Sequence, residues 1–245
     1  MIYLTVDVEE WFHLCRAERH LSPSRWPELP HRARESVQRL LEILADRSAT
    51  FFVLGYVARR DPRLIREIAA AGHEIASHGF GHRTLDRLSP AEFRRDLRES
   101  IAAIGDACGV RPRGFRAPEW SARAWMYGIL AEEGFEFDSS RLSLRPRPHR
   151  RGGVWEFPVS PFLNGTSIRL LPARVLDAVA KTLRTPAVVA VHPWDLDPGF
   201  PRLRFPLVRG ALHYVNRHRT EGRLKALLQG RTLRLMSPPS GVGPR

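Results

Sequence analysis

Ile2-Tyr3-Leu4-Thr5-Val6-Asp7-Val8-Glu9-Glu10 is the stretch on which the reading of this chain turns. Its first five residues are apolar, aromatic or β-branched, as in a buried strand. The composition then becomes acidic within one residue. Residues i and i+2 of a strand share a face, so Asp7 and Glu9 project together where the strand leaves the core. Two carboxylates held side by side are costly unless a cation or a shared proton compensates. Taken alone, the segment reads more simply as a solvated acidic turn.

Outward from that strand the chain alternates short β-rich runs with helical ones. Residues 32–46 carry Val37, Leu40, Leu41 and Leu44 on one helical face. Thr50-Phe51-Phe52-Val53-Leu54 reads as a buried strand. Asp61-Pro62 caps and opens a helix, and Glu74-Ile75-Ala76-Ser77 reads as the next strand. Ser89-Pro90-Ala91-Glu92 is a capping box. Gly114-Phe115-Arg116 ends another strand, and Ser121 is expected to cap a helix through Trp125, Ile129 and Leu130. Val154-Trp155-Glu156-Phe157 and Ser167-Ile168-Arg169-Leu170 read as strands, residues 173–183 as a helix, and Ala187-Val188-Val189-Ala190-Val191 as the most hydrophobic strand. Thr220 is expected to cap a last helix. Such alternation predicts a mostly parallel sheet, open or closed into a barrel. In barrels the chemistry gathers at the C-terminal strand ends. Asp7, His78, Arg116 and His192 each end or follow a strand candidate.

Three more clusters carry chemistry. His78-Gly79-Phe80-Gly81-His82 spaces two imidazoles four apart, on one helical turn or on a tight loop, and its glycines let the backbone curl around an ion. His73, just upstream, reads as structural. In Phe115-Arg116-Ala117-Pro118-Glu119-Trp120, the arginine either walls a sugar site or clamps a carboxylate. In Val191-His192-Pro193-Trp194-Asp195, Pro193 ends the strand ladder, which favours delivery of His192 to an active-site mouth over a place in the core.

These segments, in this order, resemble the five motifs of the NodB-homology polysaccharide deacetylases. Asp7-Val8-Glu9 is similar to the first, His78 to His82 to the second, Arg116-Ala117-Pro118-Glu119-Trp120 to the third, Phe137-Asp138-Ser139-Ser140 to the fourth and Val191-His192-Pro193-Trp194 to the fifth. Each is weak alone; five in order are specific. The subgroup found with bacterial exopolysaccharide loci resembles this chain most. The resemblance implies a distorted (β/α) barrel. It implies a catalytic domain over residues 1–195 and a short extension over 196–236 packed on it; composition predicts a disordered tail over 237–245. It implies a divalent ion, Zn2+ by donor type, on Glu9, His78 and His82. Asp7 would be the general base, Arg116 its partner, and His192 the acid, held charged by Asp138. The Glu119 amide would face the oxyanion, and Trp120 and Trp194 would pack on the sugar or acetyl methyl. The first motif departs from the commoner adjacent aspartates: its acids are one residue apart. Glu9 or Glu10 could then reach the metal, and parity favours Glu9.

Composition sets the remaining expectations. The net charge of +13 is almost all arginine, Lys181 and Lys225 being the only lysines; it favours phosphate- or carboxylate-bearing partners without choosing among them. Cys15 and Cys108 form no disulfide framework or CxxC pair. No signal peptide or transmembrane run is visible, so the chain is expected in the cytoplasm, peripheral to the inner membrane face, with an amino-sugar glycan or a nucleotide- or lipid-linked sugar as its substrate. The basic segment 141–151, with Arg145, Arg147, Arg150 and Arg151, is placed to meet phosphate or headgroups, or is simply a solvated loop. Competing readings are an allantoinase-like C–N hydrolase on the same fold, an inactive glycan-binding relative, and a nucleic-acid-binding protein. The last lacks any recognition motif, and the full set of acids and histidines argues against the inactive relative.

Overall fold

The structure is a computed structural model, described for residues 1–14, 21–183, 186–203, 205 and 207–236. The elements are β1 (Ile2–Val8), α1 (Ala33–Leu44), β2 (Thr50–Val53), α2 (Gly55–Arg60), α3 (Pro62–Ala70), β3 (Glu74–Ser77), α4 (Pro90–Cys108), β4 (Gly114–Phe115), α5 (Met126–Glu132), β5 (Phe137–Asp138), β6 (His149–Arg151), β7 (Val154–Glu156), α6 (Gly165–Leu170), α7 (Ala173–Thr182), β8 (Ala187–Val191), α8 (Leu207–Tyr214) and α9 (Arg217–Leu228).

One sheet runs β6-β7-β5-β4-β3-β2-β1-β8. Every pairing is parallel except β6 with β7. This is the expected distorted (β/α) barrel, left open because its end strands β6 and β8 do not pair with each other. Fully buried β2 and β8 read as continuous apolar runs because both their faces are covered. On one face of β1, Leu4, Val6 and Val8 pack with Val37, Leu40 and Leu44 of α1 and with Leu224, Leu227 and Leu228 of α9.

Local chemistry explains several of the helix starts. Asp61 accepts a hydrogen bond from the Leu64 amide, with Pro62 in the first turn. Ser89 and Glu92 exchange bonds across a complete capping box. Three expectations fail. Residues 167–170 are not a strand but part of α6, because Asn164 caps it by accepting from the Ser167 amide at 3.0 Å. Thr220 lies buried inside α9, which begins three residues earlier. Ser121 does not cap α5; its hydroxyl donates to the Pro118 carbonyl at 2.6 Å and the helix starts at Met126.

α9 packs on α6 and α7, and the chain then returns to the first strand, with Ile2 N donating to Thr232 O and Arg234 N to Ile2 O. The expected disordered tail at 237–245 and Cys15 lie outside the described residues. Cys108 is a free thiol. No helix among the described residues is long and apolar enough to cross a membrane.

Candidate active site

The strand ends bring the predicted polar residues to one rim. β1 delivers Asp7 and Glu9, β3 runs into His78, β4 into Arg116, β5 into Asp138 and β8 into His192. A cavity of about 550 Å³ opens there, lined by Asp7, Glu9, His78, His82 and His192 and walled by Glu119, Trp120, Trp194, Leu142 and Thr166.

The histidine segment is a tight loop, not a helical turn. Gly79 (φ +76°) and His82 (φ +51°) both take left-handed backbone. The loop curls around Asp96 of α4, whose carboxylate accepts from Phe80 N at 2.8 Å and Gly81 N at 3.1 Å. His78 and His82 thereby turn toward Glu9. The ligating atoms of these three buried residues lie within 4.8 Å of one another. His82 Nε2 stands 2.6 Å from Glu9 Oε2. His78 Nδ1 donates to the Arg116 carbonyl at 2.8 Å, which fixes the tautomer that leaves Nε2 free to ligate. Burial pushes the His78 imidazole down to about 4 against the pull of Asp7. Burial would raise the Glu9 carboxyl, but His82 and the other two imidazoles hold it well below the usual carboxylate range. Two imidazoles and a carboxylate converging on one point are the donor set a divalent cation needs. Glu10 is engaged elsewhere: its carboxylate accepts from the Arg32 and Ala33 amides at the start of α1.

Arg116 is fully buried and does not wall a sugar site. It donates to Asp7 Oδ1 at 2.6 Å and to Thr5 Oγ1 at 2.9 Å, while its other nitrogens donate to Ser139 O and Oγ. Its guanidinium lies over the rings of Phe52 and Trp120. It is the carboxylate clamp. Glu119 and Trp120 both adopt positive φ (52° and 57°), uncommon for non-glycine residues and typical of functional turns.

His192 Nε2 stands 3.7 Å from Asp7 Oδ2 and 3.6 Å from Glu9 Oε1. Its expected partner, Asp138, is turned away: Asp138 accepts from Ser140 Oγ at 2.6 Å and Ser140 N at 3.0 Å and sits beside Glu156 of β7. Burial, then the neighbouring Glu156 carboxylate, push its pKa well above the ordinary value. The carboxylate that meets His192 is Asp195, 3.1 Å from Nδ1. Sequence reasoning quoted Asp195 but gave it no role; its position three residues after His192, across Pro193, is the available signal, that of a capped turn. Trp194 lines the cavity, but it is only 9% exposed. Its ring stacks on His192 (4.3 Å between centroids) and its Nε1 donates to Glu9 Oε1 at 3.2 Å. It braces His192 and Glu9 more than it offers a platform.

Residues 24–137 match the family model for polysaccharide deacetylase, and residues 131–237 match a domain of unknown function, DUF3473. A chitooligosaccharide deacetylase from Bradyrhizobium sp. (strain ANU 289) is 32% identical over 146 residues, 59% of this chain and 57% of that protein. Another from Sinorhizobium fredii (strain NBRC 101917 / NGR234) is 28% identical over 162 residues, 62% and 63% of the two chains. This chain thus spans less than two thirds of the length of either relative. The crystal structure of a candidate polysaccharide deacetylase from Mycobacterium smegmatis superimposes with a TM-score of 0.69 at 28% identity, over 95% of this chain and 85% of that one.

Proposed function

This chain belongs to the polysaccharide deacetylase family, and from that premise we propose that it is a metal-dependent hydrolase that removes N-acetyl groups from an amino-sugar glycan. The observation that carries the reading is the gathering of Glu9, His78 and His82, their ligating atoms within 4.8 Å, on a cavity that also holds the Asp7–Arg116 pair and His192.

Glu9, His78 and His82 would hold a divalent cation, which would supply Lewis acidity and lower the pKa of a water toward ~7; two imidazoles and a carboxylate suit Zn2+. Asp7 Oδ2, the oxygen left over from the Arg116 bond, takes the proton of the attacking water. Arg116 holds that carboxylate aimed by its bond to the other oxygen. As water oxygen bonds to the acetyl carbon, the carbon–nitrogen bond breaks, and His192 Nε2 gives its proton to the departing amine. The products are acetate and a free amino sugar. Trp120 and Glu119 form the wall on which the sugar lies.

The test is acetate release from chitooligosaccharides by the purified protein, with metal analysis. Chelation should abolish release and zinc should restore it. Asp7→Asn and His192→Ala should each lower kcat by about 100-fold or more in a protein that still melts cooperatively. Acetate release that survives chelation would overturn the reading.

For the natural substrate we infer a phosphate-bearing carrier, such as a nucleotide- or lipid-linked sugar, met at a membrane surface. Supporting this, the segment from Arg141 begins beside the cavity-lining Leu142, and Arg145, Arg147 and Arg150 are exposed. Leu144 (70% exposed) and Phe162 (50%) lie beyond the rim on adjoining stretches, since Leu142 bridges Val159. Reversing the charge of Arg145 and Arg147 should raise KM for a pyrophosphate-linked substrate and leave KM for a neutral chitooligosaccharide unchanged. Equal KM changes on both would argue against a phosphate contact.

A further inference from the structure

The residue that sets up His192 is not the one the family motifs suggest. Asp195 is fully buried. Its Oδ2 accepts from the His192 backbone amide at 2.9 Å and lies 3.1 Å from His192 Nδ1. An ionised carboxylate can only accept, so Nδ1 carries the hydrogen and Nε2 is the atom turned toward Asp7 and Glu9. The other oxygen, Oδ1, is ion-paired with Arg169, itself 1% exposed. Arg169 NH2 donates to Thr166 Oγ1 at 3.1 Å, and its guanidinium lies over the Trp194 ring. α6, which carries Arg169, presses so closely on Asp195 that a Cβ at Gly165 would overlap the carboxylate. A carboxylate this deep is tolerable only when paired and hydrogen-bonded, and both of its oxygens are.

We propose that Asp195, charge-balanced by Arg169, is the positioning residue that accepts the Nδ1–H of His192 and fixes its ring orientation, in place of Asp138, so that Nε2 is the atom presented to the leaving amine. The inference rests on His192 being the proton donor of the proposed deacetylation. Asp195 touches neither substrate nor water; it acts through His192. Without it the ring is free to turn Nε2 away from the amine, a loss confined to substrates whose leaving group needs a proton.

The test exploits that restriction. An amide nitrogen must be protonated to leave, whereas 4-nitrophenolate departs from 4-nitrophenyl acetate without a proton. Asp195→Asn should lower kcat on an N-acetylated chitooligosaccharide by about 100-fold with KM little changed, while turnover of the aryl ester stays within about threefold. Asp138→Asn should not produce this amide-selective loss. His192→Ala, measured in parallel, separates the two levels of the argument. If it loses amide turnover selectively and Asp195→Asn does not, the role of Asp195 is overturned and the acid assignment stands. If His192→Ala keeps amide turnover, the acid assignment falls and the role of Asp195 with it. An equal loss on both substrates in Asp195→Asn marks a merely structural residue and also overturns the proposal. Should the asparagine variant fail to fold, nitrogen NMR of ring-labelled histidine in the wild-type protein decides. The His192 signal, identified by its absence from His192→Ala, should show a protonated Nδ1; an unprotonated one overturns the proposal.

Discussion

Arg116 and Asp7 form a pair with almost no contact with solvent, at 0% and 3% side-chain exposure. Replacing one member of such a pair leaves the other buried and uncompensated. Arg116→Met is therefore expected to lower stability by about 3–5 kcal/mol, read from urea denaturation, besides removing turnover. A result below 1 kcal/mol, the scale of surface pairs, would show that Asp7 finds another partner. At this scale parity was a good guide to Glu9. It gave the side of the strand, and the competing Glu10 is drawn to the backbone of α1. The motif resemblance implied Asp138 as the partner of His192, but Asp138 bonds Ser140 and the carboxylate beside the ring is Asp195. A motif fixes residue types along the chain, whereas the hydrogen bond from His192 depends on where α6 sets Arg169. That helix was itself misread, so its charge partner was invisible.

At the scale of elements, the loop from His78 to His82 holds its shape through Asp96 and a left-handed glycine. A side chain at Gly79 would carry the left-handed strain and stand 2.8 Å from Asp96 Oδ2. Gly79→Ala is expected to cost about 1–2 kcal/mol and to weaken metal binding, measured by calorimetric titration. Gly81→Ala meets Asp96 only at 3.5 Å, an ordinary contact, and has no positive φ; it should change neither. If both variants bind metal like the wild type, the loop is more pliable than its bonds suggest. Elements with strong local signals were legible: β2, with its continuous apolar run, and α3 and α4, with their caps. α6 was not, because Ile168 and Leu170 alternate as in a strand while the decisive signal, Asn164, lies one residue before the helix. α8 and α2 were not anticipated, being short segments whose helicity owes more to packing than to propensity.

For the molecule as a whole, the segment after His192 braces the rim. Arg217 of α9 donates to the Trp194 carbonyl and to His213 Nε2, and its guanidinium covers Phe200. Accepting that bond requires a neutral His213. Burial, then Arg217, push its imidazole down to about 3. Above the unfolded value of about 6.5 the ring is neutral in both states and its contribution is complete. As pH falls below that, only the unfolded chain takes up the proton, so stability declines progressively toward pH 3. Urea midpoints at neutral and acid pH should show that decline, shallower in His213→Gln; an unchanged slope would exclude His213 as a source. The parallel alternation, and with it the strand-end rim, was legible from the outset. The bracing was not, since it joins residues far apart in sequence through arginines that composition alone could only count.

The position of β1 has a consequence for biosynthesis. It lies inside the sheet, between β2 and β8, yet β8 is made some 180 residues later than the strand it must flank. Until the ribosome has released that distant run, the nascent polypeptide carries an unpaired edge along β1, the kind of edge that recruits stray chains. Cellular holdases that shield such edges during translation would therefore govern the yield of this protein more than the intrinsic stability of the finished fold.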